Sequence, residues 1–317
     1  MQENKSNDQI DEKNRPTLSN SRSPLHLLKV SLDKVRIVGD FNEHALDFIM
    51  KNAPVEMMFT YQDENTNKFN GYIQTKKDTS TLNFEFNPAR ARYTDSSSFW
   101  TEWNPNKISN ESVDILETFL LQYVTNAHIT RLDFAFDFEN DFSEAYLLRK
   151  SKSKSGVWFG TDGAVETRYF GSEKSNKHIK IYNKKIELRE KQNIEILQEN
   201  LWRVEVTLKG KKLYEIDKMF DNFFLGLPDW EQVEIRERAM IFYLIHHENQ
   251  WKELGSATKA KYRKLIQEIS ERDITAEMIK GLEENKVRLI QQANGYLESA
   301  ATAQFIPGGK IVGYEYL

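Results

Sequence analysis

From Arg131 to Phe138 the chain alternates without a break: Arg, Asp, Ala and Asp at one parity, Leu, Phe, Phe and Phe at the other. A period of two is that of a β-strand, whose successive side chains point to opposite faces. Leu132, Phe134, Phe136 and Phe138 therefore face a core, and Arg131, Asp133, Ala135 and Asp137 share the opposite face. The pattern is that of a sheet with one side covered and one side wet. Two aspartates four residues apart on one face repel unless a cation lies over them, either Arg131 or a divalent metal. A simply solvated face is the plainer alternative.

Comparable runs fill the first two thirds of the chain. LKVSLDKVRIVG, VEMMFTYQ, GYIQT, TLNFEFNP, VWFG, TRYFG, KHIKIYNKK and LWRVEVTLK all read as strands separated by turn residues. A helix is expected at DFNEHALDFIMKN, with Asp40 and Glu43 as a capping box, and another at SNESVDILETFLLQYV. From Pro228 the pattern turns helical, in PDWEQVEIRERAMIFYLIHHEN, KAKYRKLIQEIS and ITAEMIKGLEENKVRLIQQANGYL. The fold class is α+β: an antiparallel sheet domain with flanking helices, followed by a helical C-terminal region. At about 150 residues per domain, a chain of 317 residues suggests about two domains. Residues 1–23 are polar and free of aromatics and read as a disordered tail. Residues 24–227 form the mixed region, 228–300 the helical one and 301–317 a C-terminal tail.

The chain contains no cysteine, which excludes disulfide frameworks, zinc-thiolate sites and cysteine nucleophiles. No stretch of about 18 apolar residues is present, and nothing at the start resembles a secretion signal, so the expectation is a cytoplasmic protein without membrane contact. Phosphate-binding loops of the GxxxxGK[ST] and GxGxxG types are missing, as is HExxH. Adjacent His246 and His247 on one helix point about 100° apart and make a poor metal pair.

Oxygen chemistry remains. Glu85 in NFEFNP and Glu205 in WRVEV are carboxylates inside apolar strands, where glutamate is disfavoured. If Glu85, Asp133 and Glu205 faced one another from neighbouring strands, they would suit a hard cation such as Mg²⁺ or Mn²⁺. Asp33 is a further candidate on the same grounds, and a salt bridge to a neighbouring Arg or Lys is the alternative for each. In KHIKIYNKK, Tyr182 shares a face with Lys180 and His178 at a strand end, with Asn183 a possible helix cap beside Lys184 and Lys185. Nearby cations favour a phenolate, the nucleophilic form. Ordinary packing with a hydrogen bond is the alternative for such a tyrosine.

The net charge of −4 argues against a phosphate-backbone partner, but it is an average. Between Arg149 and Lys191 stand 12 Lys and Arg against 5 Asp and Glu. A second basic island holds Lys259, Lys261, Arg263 and Lys264. Such clusters are the footprint of nucleic acid, or else solvated helix faces. Trp158, Phe159, Tyr169 and Phe170 interleave with the first island, as stacking surfaces for unpaired bases or as core.

RLDFAFDFENDFS, GTDGAVETRYFG, KHIKIYNKK and LWRVEVTLK, in this order, with IVG, FNP, PDW and KYRKLIQEIS, resemble the Rep_trans replication initiators of small rolling-circle plasmids in Gram-positive bacteria. The resemblance spans most of residues 30–285. It implies a nicking-closing enzyme that binds a double-strand origin and attacks one strand with Tyr182, giving a 5′-phosphotyrosine and a free 3′ hydroxyl, and later rejoins it. A metal, Mg²⁺ or Mn²⁺, held by Asp133, Glu85 and Glu205, with Asp33 and Asp137 behind them, would polarise the phosphate. Lys180, Lys184 and Lys185 would hold phosphates near the nick and lower the phenol's proton affinity, and Lys259, Lys261, Arg263 and Lys264 would hold the duplex. Implied partners are plasmid origin DNA, a host replicative helicase and a second copy of the chain. ARYTDSSSFWTEWNPNKIS departs from the pattern and reads as an insertion. A conjugative relaxase with the same chemistry and a non-catalytic DNA-binding regulator are the competing readings.

Overall fold

The computed structural model describes residues 25–63, 65–90, 97–149, 154–161, 163–221, 223–230 and 233–307. The tail expected at 1–23 and the last residues of the C-terminal tail lie outside them. Ten strands run in the order β2 (Met57–Asp63), β3 (Lys68–Ile73), β4 (Leu82–Phe86), β5 (Phe99–Trp103), β1 (Leu27–Phe41), β6 (Val124–Phe138), β11 (Trp202–Lys209), β10 (Lys177–Asn183), β9 (Val165–Phe170) and β8 (Ser155–Phe159). All these neighbours are antiparallel. Short β14 (Ala303–Gln304) adds to β6 in parallel. Alternating strands with one continuous apolar face form such a sheet because burying that face is the main gain available to them.

Phe134, Phe136 and Phe138 are all buried in the main core, as the alternation predicts. The opposite face of β6 is not wet, however: Asp133 is 1% and Asp137 8% exposed. Arg131 of the same strand and Arg203 of neighbouring β11 cover it, as described below. The apolar face is covered by α1 (Leu46–Asn52), α2 (Asn110–Phe119) and, at the other end of the chain, by α6 (Ile274–Gly295). Helix α6 starts at Asp273, whose side chain accepts from the Ala276 amide at 2.9 Å. It passes so close to β1 that a Cβ at Gly281 would collide with Leu27. Asn294 clamps Ile306 by two backbone bonds of 2.8 and 3.0 Å, pinning the start of the C-terminal tail.

A second, smaller core forms around β7 (Tyr146–Arg149), β12 (Phe223–Pro228) and β13 (Ser270–Asp273), with α4 (Ile235–His246) and α5 (Ser256–Glu268). Tyr146, Val233, Ile241, Ile266 and Ile269 are its buried centre. The cores therefore do not part at residues 227 and 228. Strand β7 precedes that boundary and β12 runs across it, yet both build the small sheet, while α6 follows it yet packs on the large one, because apolar faces pair by proximity and not by chain order.

The segment read as an insertion contains β5, an interior strand between β4 and β1, whose Phe99, Thr101 and Trp103 face inward. The capping box expected at Asp40 and Glu43 does not form: Asn42 caps the single 3-10 turn Glu43–Ala45 that leads into α1, accepting from the His44 amide at 3.1 Å, whereas Asp40 belongs to β1. Among the described residues no helix is long and apolar enough to cross a membrane.

Candidate active site

Strand pairing brings the polar residues of β10, β11, β6 and β1 onto one face. Tyr182 lies opposite Arg203, and Arg203 opposite Asp137, in one cross-strand row. The next row holds Lys180, Glu205 and Ala135. Asn183 ends the strand carrying Tyr182 and caps α3 (Lys184–Gln192), accepting from the Ile186 amide at 3.1 Å. The sequence predicts that strand-to-helix switch correctly, and it fixes Tyr182 at the mouth of a helix.

Arg203 organises the face. Its guanidinium grips Asp137 with two bonds of 2.6 and 2.8 Å and reaches Asp33 on β1 at 2.5 Å. Asp33 is aimed there by an irregularity in the pairing of β1 with β6 between Leu32 and Lys34, the usual effect of an extra residue in a strand. Arg131 holds Asp133 in the same two-pronged way, at 2.8 and 2.6 Å. Glu102 on β5 continues the lattice, pairing with Lys34 at 3.0 Å and Arg36 at 2.8 Å. The aspartates of β6 thus tolerate each other because each has its own arginine.

The backbone of Glu205 belongs to the β11 ladder, but its carboxylate has no hydrogen-bond or ion-pair partner among the described residues. Burial, reinforced by Asp133 and Asp33, raises its carboxyl to about 7, against the pull of Lys180 and Arg203. Tyr182 is 4% exposed. The Lys180 ammonium sits 3.8 Å from its ring centroid and that of Lys184 5.7 Å. Contrary to expectation, the phenol is not made more acidic. Burial pushes it far above its ordinary value; Arg203 opposes this, and Glu205, Glu187 and Asp33 add to it. Desolvation outweighs the cations because a phenolate in a dry site loses its hydration.

The other predicted residues scatter. Glu85 is on the polar face but on β4, three strands from β6, hence about 14 Å away at ~4.8 Å per strand. It is paired with Arg90. Lys184 is buried and bonded to Glu187 at 2.5 Å; despite burial, that lysine holds the Glu187 carboxyl down to about 2. Lys185 donates to the carbonyls of Gln198 and Glu199 at 2.7 and 3.2 Å. Of the three lysines, Lys180 alone faces Tyr182 and Glu205 in the cross-strand rows. The second basic island lies on α5 in the small core, with Lys261 bound to Glu237 at 2.7 Å, Lys264 to Glu268 at 3.4 Å and Arg263 5.4 Å from the Trp251 ring centroid.

A metal cage of Asp133, Glu85 and Glu205 does not fit this arrangement. Glu85 is remote, Asp133 is neutralised by Arg131, and among the described residues no three acidic or imidazole side chains stand as a metal-holding group. Arg203 is the residue that sequence reasoning missed. Its signal was present, since Arg203 and Glu205 share a face by the period of two.

No protein-family model matches the chain. Two replication initiation proteins of Staphylococcus aureus are each 34% identical to it. One match runs over 287 residues, 86% of this chain and 88% of the relative. The other runs over 292 residues, 90% and 92%. A solved rolling circle replication initiator protein from Geobacillus stearothermophilus is similar over 65% of this chain and 89% of its own, with 13% identity and a TM-score of 0.38. A buried polar sheet face with a tyrosine at a strand end marks the site, and the curated relatives define the lineage. The chain belongs to the family of replication initiation proteins.

Proposed function

We propose that the protein starts rolling-circle replication of a plasmid by nicking one strand of its double-strand origin through Tyr182 and rejoining that strand after a round of synthesis. The observation that carries this reading is the place of Tyr182: on the polar face, in one row with Arg203 and Asp137, beneath the Lys180 ammonium and beside the unpaired Glu205. Family membership and the ordered motifs around it support the same residue.

In this reading the Tyr182 oxygen attacks phosphorus. A bond forms between tyrosine and the 5′ phosphate while the bond to the 3′ oxygen breaks, and that oxygen takes up a proton from solvent to become the primer hydroxyl. Because burial keeps the phenol protonated, the step needs a proton acceptor. Glu205 is diagonal to Tyr182 on the adjacent strand, within reach of long side chains, and its carboxyl titrates near neutrality. Lys180 offsets charge developing on the phosphate oxygens. The phosphotyrosine retains the bond energy, so the reverse attack reseals the strand. No step is assigned to a metal, for which the residues as arranged do not supply the expected ligands.

The reading also takes duplex origin DNA to Lys259, Lys261, Arg263 and Lys264 on α5, and includes a homodimer and a host replicative helicase as partners in the cytoplasm. The decisive experiment is Tyr182→Phe, which removes one hydroxyl. The covalent protein–DNA adduct on a supercoiled origin plasmid disappears from denaturing gels, while origin affinity stays within about twofold. An adduct formed at the normal rate by the Phe variant removes Tyr182 from the mechanism.

A further inference from the structure

Strand β8 is the edge of the large sheet, and it exposes Trp158 (66%) and Phe159 (63%). Exposed aromatics on an unpaired edge are a liability that proteins normally avoid. The register shows where the indole stands. Trp158 is opposite Thr167 on β9, Thr167 is opposite Tyr182 on β10, and the row continues to Arg203 and Asp137. Trp158 therefore shares the face of Tyr182 and lies two strands from it, about 10 Å at ~4.8 Å per strand.

The neighbouring row is shaped to leave room. Gly156 lies opposite Tyr169, and a Cβ there would meet nothing within 4 Å. Tyr169 opens onto that space, stacked on His178 with centroids 5.8 Å apart and planes 21° apart, and with the Lys180 ammonium 6.0 Å from its ring centroid. Flat aromatic faces and a cation thus flank an open surface inside the most basic stretch of the chain, Arg149 to Lys191. Phe170, by contrast, belongs to the main core.

We infer that the face of β8, β9 and β10 is a platform for unpaired DNA, with Trp158 stacking on a base about three nucleotides from the bond that Tyr182 attacks, at ~3.4 Å per stacked base. The inference rests on the proposed role of Tyr182 only for naming that bond. Single-stranded DNA is the occupant because its bases offer π-faces to Trp158 and its phosphates match the basic charge, a combination that tolerates any sequence. A protein strand added to the β8 edge would use backbone groups and would not need the indole.

The test uses the full chain and a labelled oligothymidylate of about ten nucleotides, within the usual site size for such surfaces. Trp158→Ala weakens oligonucleotide binding by about 5- to 150-fold, as loss of one stacked base implies. Trp158→Phe, which keeps a stacking face, stays within about threefold of the parent, and binding of a duplex of equal length is unchanged by either variant. The platform is wrong if Trp158→Ala binds the oligonucleotide like the parent, or if it weakens single strand and duplex equally. Repeating the titration in Tyr182→Phe separates this from the mechanism above. If the tyrosine assignment fails, the Phe variant still forms the adduct, while the Trp158 titration still judges the platform.

Discussion

The polar face of the large sheet and helix α5 both carry charged residues that the sequence singles out, in opposite physical states. On the sheet, Asp133, Asp137 and Arg203 are each less than a tenth exposed and locked into two-pronged pairs. On α5, the Lys261 and Lys264 side chains are 55% and 78% exposed, and each touches one carboxylate. Buried pairs hold geometry, since breaking one strands a charge away from water. Exposed pairs contribute little and exchange readily for another anion, such as a phosphate. The first region holds Tyr182 and Glu205 in place, while the charges of the second stay free to exchange partners.

The strongest attempt to break this contrast is Arg203→Met. It leaves Asp137 and Asp33 without their partner, and the expected loss is about 3–5 kcal/mol of unfolding free energy, read from the denaturant midpoint. An unchanged midpoint would put the two regions in the same class. A smaller effect is expected from Glu205→Gln. The folded-state carboxyl is raised from 4.5 to about 7, so the folded protein binds this proton more tightly than the unfolded chain. Its stabilising contribution is full below about pH 4.5 and is lost as the pH rises through about 7. The amide stays neutral, so Glu205→Gln unfolds at a higher temperature than the parent above pH 7 and shows a flatter stability profile between pH 4.5 and 7. The same variant loses the rise in cleavage rate with pH that a proton acceptor near neutrality predicts. Equal pH profiles for the two proteins would end that role for Glu205.

The smallest change in stability belongs to α5. Lys261→Ala and Lys264→Ala each leave the denaturant midpoint essentially where it is in the parent, since exposed pairs are screened by water. Each nonetheless lowers duplex affinity and reduces the salt slope by about one unit if it contacts a phosphate. A salt slope unaltered in the double variant would free α5 from DNA binding and leave the contrast one of stability alone.

Much of the fold was legible because its strands are amphipathic or flanked by clear turns. The alternation in β6, β10 and β11 places Tyr182, Lys180, Glu205, Asp133 and Asp137 on one face, and Asn183 marks the start of α3. Strand β5 was harder to see. Phe99, Thr101 and Trp103 do alternate with Trp100 and Glu102, but five residues after a polar stretch give a weak signal. The division into two cores was not legible, since β7, β12 and β13 are short and come from distant parts of the chain.

The sequence by itself determined which side chains share a face, because the period of a strand is a local property of the backbone. It also determined that no thiol is available as nucleophile or ligand, since the chain has no cysteine. Tertiary structure decided which faces meet. The order β4-β5-β1-β6-β11-β10 separates Glu85 from Asp133, brings Arg203 across β6 to Asp33, and carries Trp158 into the row of Tyr182. It also decided the sign of the shift at Tyr182, because burial is set by everything packed around a residue and not by its neighbours in sequence. Pairing between strands distant in sequence depends on long-range burial and closure, for which local periodicity holds no information.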